Sequence, residues 1–434
     1  MTESSQPVPS GDEIRAVTAA QGAEVRRHRT AEATVRILLD GRPLAEQEVV
    51  VSQTGHAFRF GCTGFDFLPL ANDEVDGLEA GRLRHLGNQW LGLFNTATLP
   101  FYWAWFEPER GAPHTQRLLA AARWFAERGI QVKGHPLTWH TQTAPWLLQL
   151  PTDEVARLQV ERIRREVGGF AGLIDTWDVI NEVVIMPIFT AEDNAITRLA
   201  HRMGRIPLVR MVFDAARQAN PGATLLLNDF DLSAAYECLI EGVLEAGIRI
   251  DALGLQSHMH QGYWGEEKTL AIVDRFARYG LPIHFTETSI VSGHLMPPQI
   301  EDLNDYQVEQ WPSTPEGEVR QADEIVRHYT TLLSHPAVEA VTYWGLTDDG
   351  WLGAPVGFLR PNGTPKPSYR ALHDLIRGEW WLPPTTLRTD PGGLVRFSGF
   401  LGDYRIEHAG RAGSVTLTQP GTARLDSELA LIPS

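Results

Sequence analysis

Short apolar runs that alternate with helix-like segments constrain the fold of this chain most strongly. Between about Phe58 and Ile376 the runs are FRFGC, FNTATL, QVKGHPLTW, IDTWDVINE, TLLLNDF, DALGLQSH, PIHFTET and AVTYWGL. The segments between them, such as TQRLLAAARWFAERG, have helical periodicity and end at Gly or at Asn-Pro-Gly. Strand–helix alternation implies parallel strands joined by helical crossovers. About eight such units over roughly 320 residues predict an α/β fold, the (β/α)8 TIM barrel.

The segments outside this repeat predict additional β structure. Residues 1–30 are polar, and we expect a loose N-terminal segment there. Residues 31–54 alternate apolar and polar residues on both sides of an Asp-Gly pair, which predicts a β-hairpin. The barrel is expected over residues 55–382, before a double proline. Residues 383–434 predict a small β module of short strands and Gly-rich turns, which the N-terminal hairpin could complete.

The net charge argues against two classes of partner. It is formally −16, whereas a nucleic-acid binder neutralises phosphates with Lys and Arg, and attraction to an anionic membrane surface also needs positive charge. No apolar run approaches the length needed to span a bilayer. We therefore expect no nucleic acid and no membrane as a partner, and a neutral substrate. The sequence carries no signal of oligomeric state.

The cysteines and the N-terminus predict the compartment. Cys62 and Cys238 could make at most one disulfide. The stretch MTESSQPVPSGDEIR has neither the basic start nor the apolar core of a secretion signal. We therefore expect free thiols in a reducing compartment and a cytoplasmic location.

Polar residues end six of the predicted strands. In a barrel of this kind the carboxyl-terminal strand ends meet at one face and hold the active site. One polar residue at a strand end is often a helix cap, and for Asn228 and Asp229 that interpretation stays open. Six strands that end this way direct their side chains into one cavity, which predicts an active site. The residues are His135, His140, Asn181, Glu182, Asn228, Asp229, Gln256, His258, Glu287, Trp344 and Asp348.

Two of these residues, Glu182 and Glu287, predict the reaction. They end the fourth and seventh strands, which lie on opposite sides of an eight-membered ring, so the side chains would face each other across its mouth. Two carboxyl groups about 5–5.5 Å apart, one neutral and one ionised, cleave a glycosidic bond with retention of configuration. One attacks the anomeric carbon, while the other protonates the departing oxygen and later deprotonates a water. For either glutamate alone, an ion pair would be the simpler interpretation.

Seven sequence motifs follow one another between about residues 57 and 376. They are GHPLTWH (134–140), WDVINE (177–182), LLNDFD (226–231), GLQSHMH (254–260), HFTE (284–287), VTYWGLTDD (341–349) and KPSYRAL (366–372). In this order they resemble family 10 of the glycoside hydrolases, the xylanase-like family with catalytic acids on strands four and seven. The resemblance implies that Glu182 is the acid/base and Glu287 the nucleophile. It also implies that Asn181 holds the sugar 2-hydroxyl beside the nucleophile.

The same resemblance implies the substrate contacts. Gln256 and His258 would support the two carboxyl groups, and His135 would bind the sugar of the −1 subsite, the sugar whose glycosidic bond breaks. The family implies a carbohydrate or glycoside substrate, no cofactor and no metal ion. The walls of the −1 subsite would be Trp139, Trp344 and Trp351.

The loop after the second strand departs from the family pattern. Family xylanases carry Glu-Asn and then Lys-Trp there, and these polar groups hold the xylose units on the non-reducing side. This chain has TLPFYWAWFEPERG: Thr98 and Leu99 take the Glu-Asn places, Tyr102 replaces the lysine, and Trp103 remains. Removing donors built for sugar hydroxyls costs several orders of magnitude, roughly 10⁴-fold, on a substrate that needs them. The change predicts glycone subsites that differ from those of a xylanase.

Two further departures lie near the nucleophile and after the last strand. The family has an aspartate two residues beyond the nucleophile, which orients the strand-six histidine, whereas this chain has Ser289. A hydroxyl accepts from an imidazole but does not stabilise imidazolium as a carboxylate does, which predicts a more readily neutral His258. The loop TDDGWLG is one residue shorter than its family counterpart, so Trp351 is expected to sit differently.

An aromatic cluster after the second strand indicates a less polar substrate. It could stack on a sugar face or an aglycone, or it could be core packing, since strand ends are apolar in any case. We expect a short oligosaccharide or a glycoside with an apolar aglycone, and the alternative is a true endo-1,4-β-xylanase. The cluster comprises Phe101, Tyr102, Trp103, Trp105 and Phe106.

Two other functional classes stay open at this point. His258-Met259-His260 resembles the His-x-His pair of metal-dependent amidohydrolase barrels, but there the pair ends the first strand, and here the first run ends in FGCTG. The other class is a non-catalytic carbohydrate-binding barrel, against which the presence of both glutamates counts. The terminal β segments could bind sugar or cap the fold, and their few aromatic residues favour a cap.

Overall fold

The computed structural model describes residues 11–433. Its strands are β1 Thr30–Leu39, β2 Arg42–Pro43, β3 Glu48–His56, β4 Arg59–Thr63, β5 Thr96–Pro100, β6 Gln131–His135, β7 Ile174–Asn181, β8 Thr224–Asp229, β9 Ala252–Met259, β10 Ile283–Ile290, β11 Val338–Tyr343, β12 Thr385–Arg388, β13 Leu394–Phe400, β14 Gly402–His408, β15 Arg411–Leu417, β16 Gly421–Ala430 and β17 Ile432–Pro433. Its α-helices are α1 Gly11–Arg29, α2 Leu68–Ala71, α3 Gly77–Leu93, α4 Trp103–Phe106, α5 Thr115–Ala126, α6 Thr152–Gly169, α7 Ala195–Met203, α8 Arg205–Ala219, α9 Ala234–Glu245, α10 Glu266–Ala277, α11 Pro315–Ser334 and α12 Pro367–Asp374.

Eight parallel strands, β4 to β11, close into a barrel. They follow one another around the ring in chain order, and β11 pairs with β4 to close it. These strands coincide with the eight apolar runs, so the predicted (β/α)8 barrel is confirmed. Every residue of β5 and β10 is buried, as expected for parallel strands that are covered on both faces.

Two glycines let barrel strands approach each other beside the polar strand ends. A Cβ at Gly134 would lie 2.2 Å from the Trp177 ring, and one at Gly254 would lie 2.3 Å from Asn228 Oδ1. No side chain fits at such distances, so glycine is required where another group approaches the backbone this closely. The first contact precedes His135 directly, and the second lets Asn228 point into the barrel mouth.

The remaining strands form two sheets outside the barrel. One has the order β13-β1-β16 with β2 attached to β1, and the other has the order β12-β3-β14-β15-β17. Val35 and Ile37 of β1, Val51 of β3, and Tyr404 and Ile406 of β14 share one hydrophobic cluster. The predicted accessory β module, built from the C-terminal segment with the N-terminal strands, is therefore confirmed.

The hairpin predicted over residues 31–54 is wrong in its pairing. The chain does turn at Asp40 and Gly41, with φ of +52° and +78°, but the strand after this turn, β2, has only two residues. β1 pairs with β13 and β16, whereas β3 pairs with β12 and β14. Alternating polarity is satisfied by any sheet that buries one face, so the pattern identifies strands but not their partners.

The loose segment predicted over residues 1–30 is also wrong for Gly11–Arg29, which form α1. Residues 1–10 lie outside the described part of the chain. Val25 is buried, and Arg29 donates to backbone carbonyls at the end of α11 and the start of β11. Packing against the barrel stabilises this helix, and such tertiary contact is not visible in a local polar pattern.

Cys62 is buried, Cys238 is exposed, and both are free thiols, as predicted. Within residues 11–433, no helix has the length and apolar character needed to cross a membrane.

Candidate active site

The predicted site residues lie at the carboxyl-terminal ends of barrel strands β5 to β11 and in the segments that follow them. Hydrogen bonds or ring contacts join most of them into one group around the barrel mouth. The residues brought together are His135, Trp139, Asn181, Glu182, Asn228, Gln256, His258, Glu287, Trp344 and Trp351.

Side-chain amides from three strands connect the two carboxyl groups. Asn228 Nδ2 donates to Asn181 Oδ1 at 2.6 Å and to Glu287 Oε1 at 3.2 Å. Gln256 Nε2 donates to Asn181 Oδ1 at 3.2 Å and to Glu182 Oε1 at 3.1 Å. Asn181 Nδ2 also donates to Glu182 Oε1, at 3.1 Å. Because each amide binds two partners, the network fixes both carboxyl groups relative to one another.

The cap interpretation of Asn228 and Asp229 is wrong for the first residue. Asn228 is committed to the carboxyl network, and the N-cap of the following helix α9 is Ser233. Asp229 instead accepts from the backbone N–H of Val184 at 3.0 Å and of Asp231 at 3.0 Å. Asp229 therefore ties together the loops that follow β7 and β8.

Glu182 has a strained backbone and a neutral side chain. Its φ is +58°, in the left-handed region that non-glycine residues rarely adopt and that is enriched at functional sites. Trp139 Nε1 donates to Glu182 Oε2 at 2.6 Å. Burial, and secondly the charge of Glu287, raise the pKa of Glu182 to about 8. A carboxyl group with this pKa is protonated at neutral pH and can act as an acid.

Glu287 is oriented through both of its carboxyl oxygens. Asn228 donates to Oε1, and His258 Nε2 lies 3.2 Å from Oε2. His135 Nε2 lies 3.8 Å from Oε1. The Glu287 side chain is 7% exposed and that of Glu182 is 13% exposed. Little of either carboxyl group therefore contacts solvent.

His258 is held on its other face by Ser289, the residue in the place of the family's aspartate. His258 Nδ1 and Ser289 Oγ are 2.9 Å apart. Ser289, His258 and Glu287 thus form a hydrogen-bonded row. The hydroxyl orients the imidazole without adding a negative charge beside it.

Two charged residues that were not predicted from the sequence lie behind His135. Asp178 Oδ2 is 2.8 Å from His135 Nδ1 and 2.7 Å from Lys133 Nζ, and all three side chains are buried. Although burial raises it, the nearby Lys133 charge and the His135 contact lower the pKa of Asp178 overall. The available signal was a charged residue inside an otherwise apolar run, as in QVKGH and TWDVIN. This pair fixes the ring orientation of His135.

Aromatic rings line the mouth on the side of β11, β4, β5 and β6. Phe65, which was not predicted, meets the Tyr102 ring at a centroid distance of 6.0 Å and the Trp344 ring at 5.8 Å. Tyr102 also meets Trp139 at 5.5 Å, and Trp344 meets His135 at 5.0 Å. Phe65 directly follows the first run, and an aromatic residue there was the only signal. We call Phe65, Tyr102, Trp139 and Trp344 the aromatic wall.

The predicted aromatic cluster divides between core and cleft. Phe101 and Phe106 are buried in the barrel core, so packing explains both. Trp103, predicted as a substrate contact, also lies in the core behind Tyr102 and donates its Nε1 to Glu107. Trp105 is 54% exposed and meets the outer side of Tyr102 at 4.9 Å. Only Tyr102 of this cluster belongs to the aromatic wall.

The loop after β11 carries Trp351 in an unusual backbone. Asp349 and Leu352 have φ of +66° and +62° on either side of the tryptophan. The Trp351 ring lies 4.7 Å from the His258 ring and 5.2 Å from the His260 ring, measured between centroids. Trp351 therefore packs on the two histidines of β9 and its loop.

The remaining predicted polar strand ends have structural contacts. Asp348 is buried and pairs with Lys366 Nζ at 2.5 Å, which anchors the loop of Trp351. His140 Nε2 lies 4.0 Å from Glu182 Oε2, and burial lowers the pKa of His140 to about 3. His140 is thus a neutral ring beside the acid.

The His-x-His pair does not belong to a wider cluster of metal ligands. Among the side chains that the structure describes, no group of three His, Cys, Asp or Glu residues could hold a metal ion. His260 is buried, and neither of its ring nitrogens has a hydrogen-bond partner in the described part of the chain. Its ring centroid lies 5.9 Å from that of His258.

This barrel and its strand-end carboxyl pair define a glycoside hydrolase. The chain belongs to glycosyl hydrolase family 10, whose model matches residues 100–375. The family that the motifs resemble is thereby confirmed.

Curated relatives are similar at moderate identity. The chain is 27% identical over 311 residues to the anti-sigma-I factor RsgI6 of Acetivibrio thermocellus, a match that covers 70% of this chain and 35% of that protein. It is 27% identical over 295 residues to an endo-1,4-beta-xylanase/feruloyl esterase of Xylanibacter ruminicola, covering 60% of this chain and 39% of that protein. It is 26% identical over 294 residues to endo-1,4-beta-xylanase B of Thermotoga neapolitana, a match that covers 63% of this chain and 78% of that protein. The match thus spans less than half the length of the first two relatives.

Solved structures share the fold. Xylanase 10B from Thermotoga petrophila RKU-1 in complex with xylobiose is 21% identical, with a TM-score of 0.59 over 74% of this chain and 95% of that one. The family 10 structure from Paenibacillus barcinonensis is 24% identical, with a TM-score of 0.60 over 74% of this chain and 96% of that one.

Proposed function

We propose that this family 10 hydrolase cleaves a β-glycosidic bond by double displacement, with retention of configuration. Glu287 attacks the anomeric carbon while Glu182 protonates the departing oxygen, and Glu182 then deprotonates the water that releases the sugar. The observation that carries the proposal is the network of Asn181, Asn228 and Gln256, which holds the Glu182 and Glu287 carboxyl groups together at the barrel mouth. Burial and the charge of Glu287 raise the pKa of Glu182 to about 8 in this network. Two carboxyl groups with such different environments take the separate roles of acid and nucleophile.

The amide and indole groups around Glu182 support the transfer of its proton. When Glu182 becomes a carboxylate, Trp139 Nε1 donates to Oε2 and Gln256 Nε2 donates to Oε1. Both donors are already in place, so no reorganisation accompanies the developing charge. Asn181 lies between the two carboxyl groups, where its amide can hold the sugar 2-hydroxyl.

The substrate that we propose is a short oligosaccharide or a glycoside with an apolar aglycone. Thr98 and Leu99, which stand in the places of the family's Glu-Asn pair, are fully buried. They replace a carboxylate and an amide by an apolar side chain and by a hydroxyl, Thr98 Oγ1, that has no hydrogen-bond partner among the described residues. Beyond β7 and β8, Ile188 and Phe230 are 62% and 49% exposed. Exposed apolar groups in the loops at the carboxyl-terminal ends of barrel strands are suited to an apolar ligand.

A substrate panel tests this function. Purified protein is incubated with aryl β-glycosides, with short β-1,4-xylo-oligosaccharides and with polymeric xylan, and the Glu287→Gln variant gives the background. We expect kcat/KM per bond to be highest for the small glycosides. Strong turnover of polymeric xylan alone would contradict the proposed substrate class.

The second candidate is an endo-1,4-β-xylanase, the name carried by several relatives. It predicts that polymeric xylan is cut into mixed oligosaccharides in the same panel. The replacement of the family's polar pair by Thr98 and Leu99 on β5, and of its lysine by Tyr102 after β5, counts against it. A non-catalytic sugar-binding barrel predicts no turnover, and Glu182→Gln would then leave every measured property unchanged.

A further inference from the structure

The order of the barrel strands determines where a cleft between the catalytic carboxyl groups opens. Glu182 follows β7 and Glu287 lies on β10, on opposing sides of the closed ring. A groove that passes between them leaves the barrel mouth between β4 and β5 at one end. It leaves between β8 and β9 at the other end.

Two members of the aromatic wall meet at the β4–β5 end. Phe65 follows β4, Tyr102 follows β5, and their rings are 6.0 Å apart with planes at 89°. The wall continues on both sides, through Trp344 after β11 and Trp139 after β6. Rings in edge-to-face contact leave no room for a sugar ring between them. This end of the groove is therefore closed.

The β8–β9 end differs. Phe230, after β8, is about half exposed. Gly262, in the loop after β9, has no side chain, and the side chain beside it is that of Leu295, which is 41% exposed. Ile188, in the loop after the neighbouring strand β7, is exposed as well. A chain or an aglycone can leave the groove on this side.

Tyr102 places one polar group on the inner face of the closed end. The centroids of the Tyr102 and His135 rings are 5.7 Å apart, and Tyr102 as a residue is 8% exposed. Burial first, and then the charges of Glu287 and Glu182, raise the pKa of Tyr102 well above its ordinary value, so the phenol stays protonated. Within the described part of the chain no residue hydrogen-bonds to this hydroxyl. A hydroxyl donor that has no partner within the protein is available to a ligand.

We propose that the enzyme is exo-acting: the closed end admits a single sugar, and the Tyr102 hydroxyl donates to a terminal hydroxyl on its non-reducing side. Each cleavage then releases one monosaccharide. This inference rests on the proposed hydrolase function and deepens it. Tyr102 stands where the family resemblance places the lysine that holds sugars on the non-reducing side, which assigns the closed end to that side.

Xylotetraose labelled at its reducing end tests the direction and size of the cut. We expect unlabelled xylose and labelled xylotriose as the first products. Labelled xylobiose would show internal cleavage and overturn the inference that this end of the groove is closed. Labelled xylose would place the closed end on the leaving-group side and overturn the assignment of Tyr102.

Aryl glycosides give the same test without a second sugar on the leaving side. We compare 4-nitrophenyl β-xyloside and β-glucoside with 4-nitrophenyl β-xylobioside, and expect kcat/KM for release of nitrophenol to be at least as high for a monoside. A preference for the bioside above about tenfold, worth about 1.4 kcal/mol, would overturn the inference. Absence of turnover with every compound would instead contradict the hydrolase function itself.

Two variants separate the hydroxyl of Tyr102 from the shape of the wall. Tyr102→Phe keeps the ring contacts and is expected to lower kcat/KM on monosides about 10–100-fold, because a polar contact to the sugar is lost. Phe65→Ala opens the wall and is expected to add internal cleavage of xylotetraose. Phe230→Ala, at the open end, is the matched control and should leave the product size unchanged. If Phe65→Ala gives the same products as the wild type and unfolds at the same temperature, the aromatic wall does not limit the closed end to one sugar.

A ligand structure tests how many sugar rings the closed end admits, and it needs neither turnover nor a variant of the aromatic wall. Crystals of Glu287→Gln are soaked with xylobiose. We expect one sugar ring between Tyr102 and the carboxyl groups, with the second ring toward Phe230. Two sugar rings on the Tyr102 side would overturn the inference.

Discussion

The two halves of the barrel mouth are held together by different interactions. On β7 to β10, polar side chains satisfy one another: Asn228 alone contacts Asn181, Glu287 and Thr286. On β11 and β4 to β6, rings contact rings, and the Tyr102 hydroxyl has no partner in the described part of the chain. A change in the polar half leaves buried groups unpaired, at about 1–3 kcal/mol each. A change in the aromatic half mainly alters the shape of the cleft.

This difference explains how bond cleavage and substrate choice can separate within one fold. The carboxyl network tolerates little change because every amide in it serves two partners. Apart from Trp139, whose indole donates to Glu182, the rings of the aromatic wall can change without disturbing that network. Each of the following predictions tests whether the two halves are independent in this way.

The largest effect is expected for Glu287→Gln. Loss of the nucleophile should lower kcat by at least about 10⁴-fold on every substrate, since no other group can form the covalent intermediate. Glu245→Gln, at an exposed helix position, is the control and should retain full activity. Residual activity within tenfold of the wild type would show that Glu287 is not the nucleophile.

Glu182→Gln is expected to have the next largest effect. On substrates with a poor leaving group, kcat should fall about 10²–10⁴-fold because general acid catalysis is lost. On glycosides of acidic phenols, whose departure needs no proton, the first step should slow much less. Equal losses on both substrate types would contradict the acid role.

Asn228→Ala should reduce kcat/KM by about 10–100-fold, because Glu287 Oε1 and Asn181 Oδ1 both lose a donor. The loss should appear equally on monosides and on longer substrates. A loss confined to one substrate length would mean that the polar half also selects the substrate. Asn304→Ala, at an exposed position, is the control and should retain full activity.

The pH dependence follows from Glu182. Its raised pKa of about 8 means that the acid form is present below that pH and is lost as the pH rises through it. We therefore expect kcat/KM to fall about tenfold per pH unit above roughly pH 8. In Glu182→Gln this decline should disappear. A decline of kcat/KM centred near pH 5 would contradict the claim that Glu182 is protonated at neutral pH.

The smallest effect is expected for Ser289→Ala. His258 Nδ1 then loses its partner but keeps the contact of Nε2 with Glu287, so kcat/KM should fall only about two- to tenfold. Ser289→Asp, which restores the family's residue, should retain or raise the activity. A collapse of activity in Ser289→Ala would show that the hydroxyl does more than orient the ring.

Much of the barrel was predictable because its strands are buried on both faces. Strands such as TLLLND are buried almost throughout, and the polar residues at their carboxyl-terminal ends mark the catalytic face whichever helix follows. The carboxyl pair and the amides of Asn181 and Gln256 were predictable for the same reason. Each lies where an apolar run ends.

The features that could not be predicted depend on contacts between distant segments. The pairing of β1 with β13 joins residues more than 300 positions apart, and nothing local specifies it. Phe65 and Lys133 acquire their roles from the neighbouring strands, Phe65 from Tyr102 and Trp344, and Lys133 from Asp178. A single aromatic or charged residue in a run has no such meaning by itself.

The anomeric form of the first sugar released is the most direct test of the carboxyl pair. Proton NMR is recorded during hydrolysis of the best β-glycoside of the panel, before mutarotation equilibrates the product. We predict that the β-anomer appears first and the α-anomer follows by mutarotation. An α-anomer formed first would mean that a water attacks directly, and double displacement at Glu287 would be wrong.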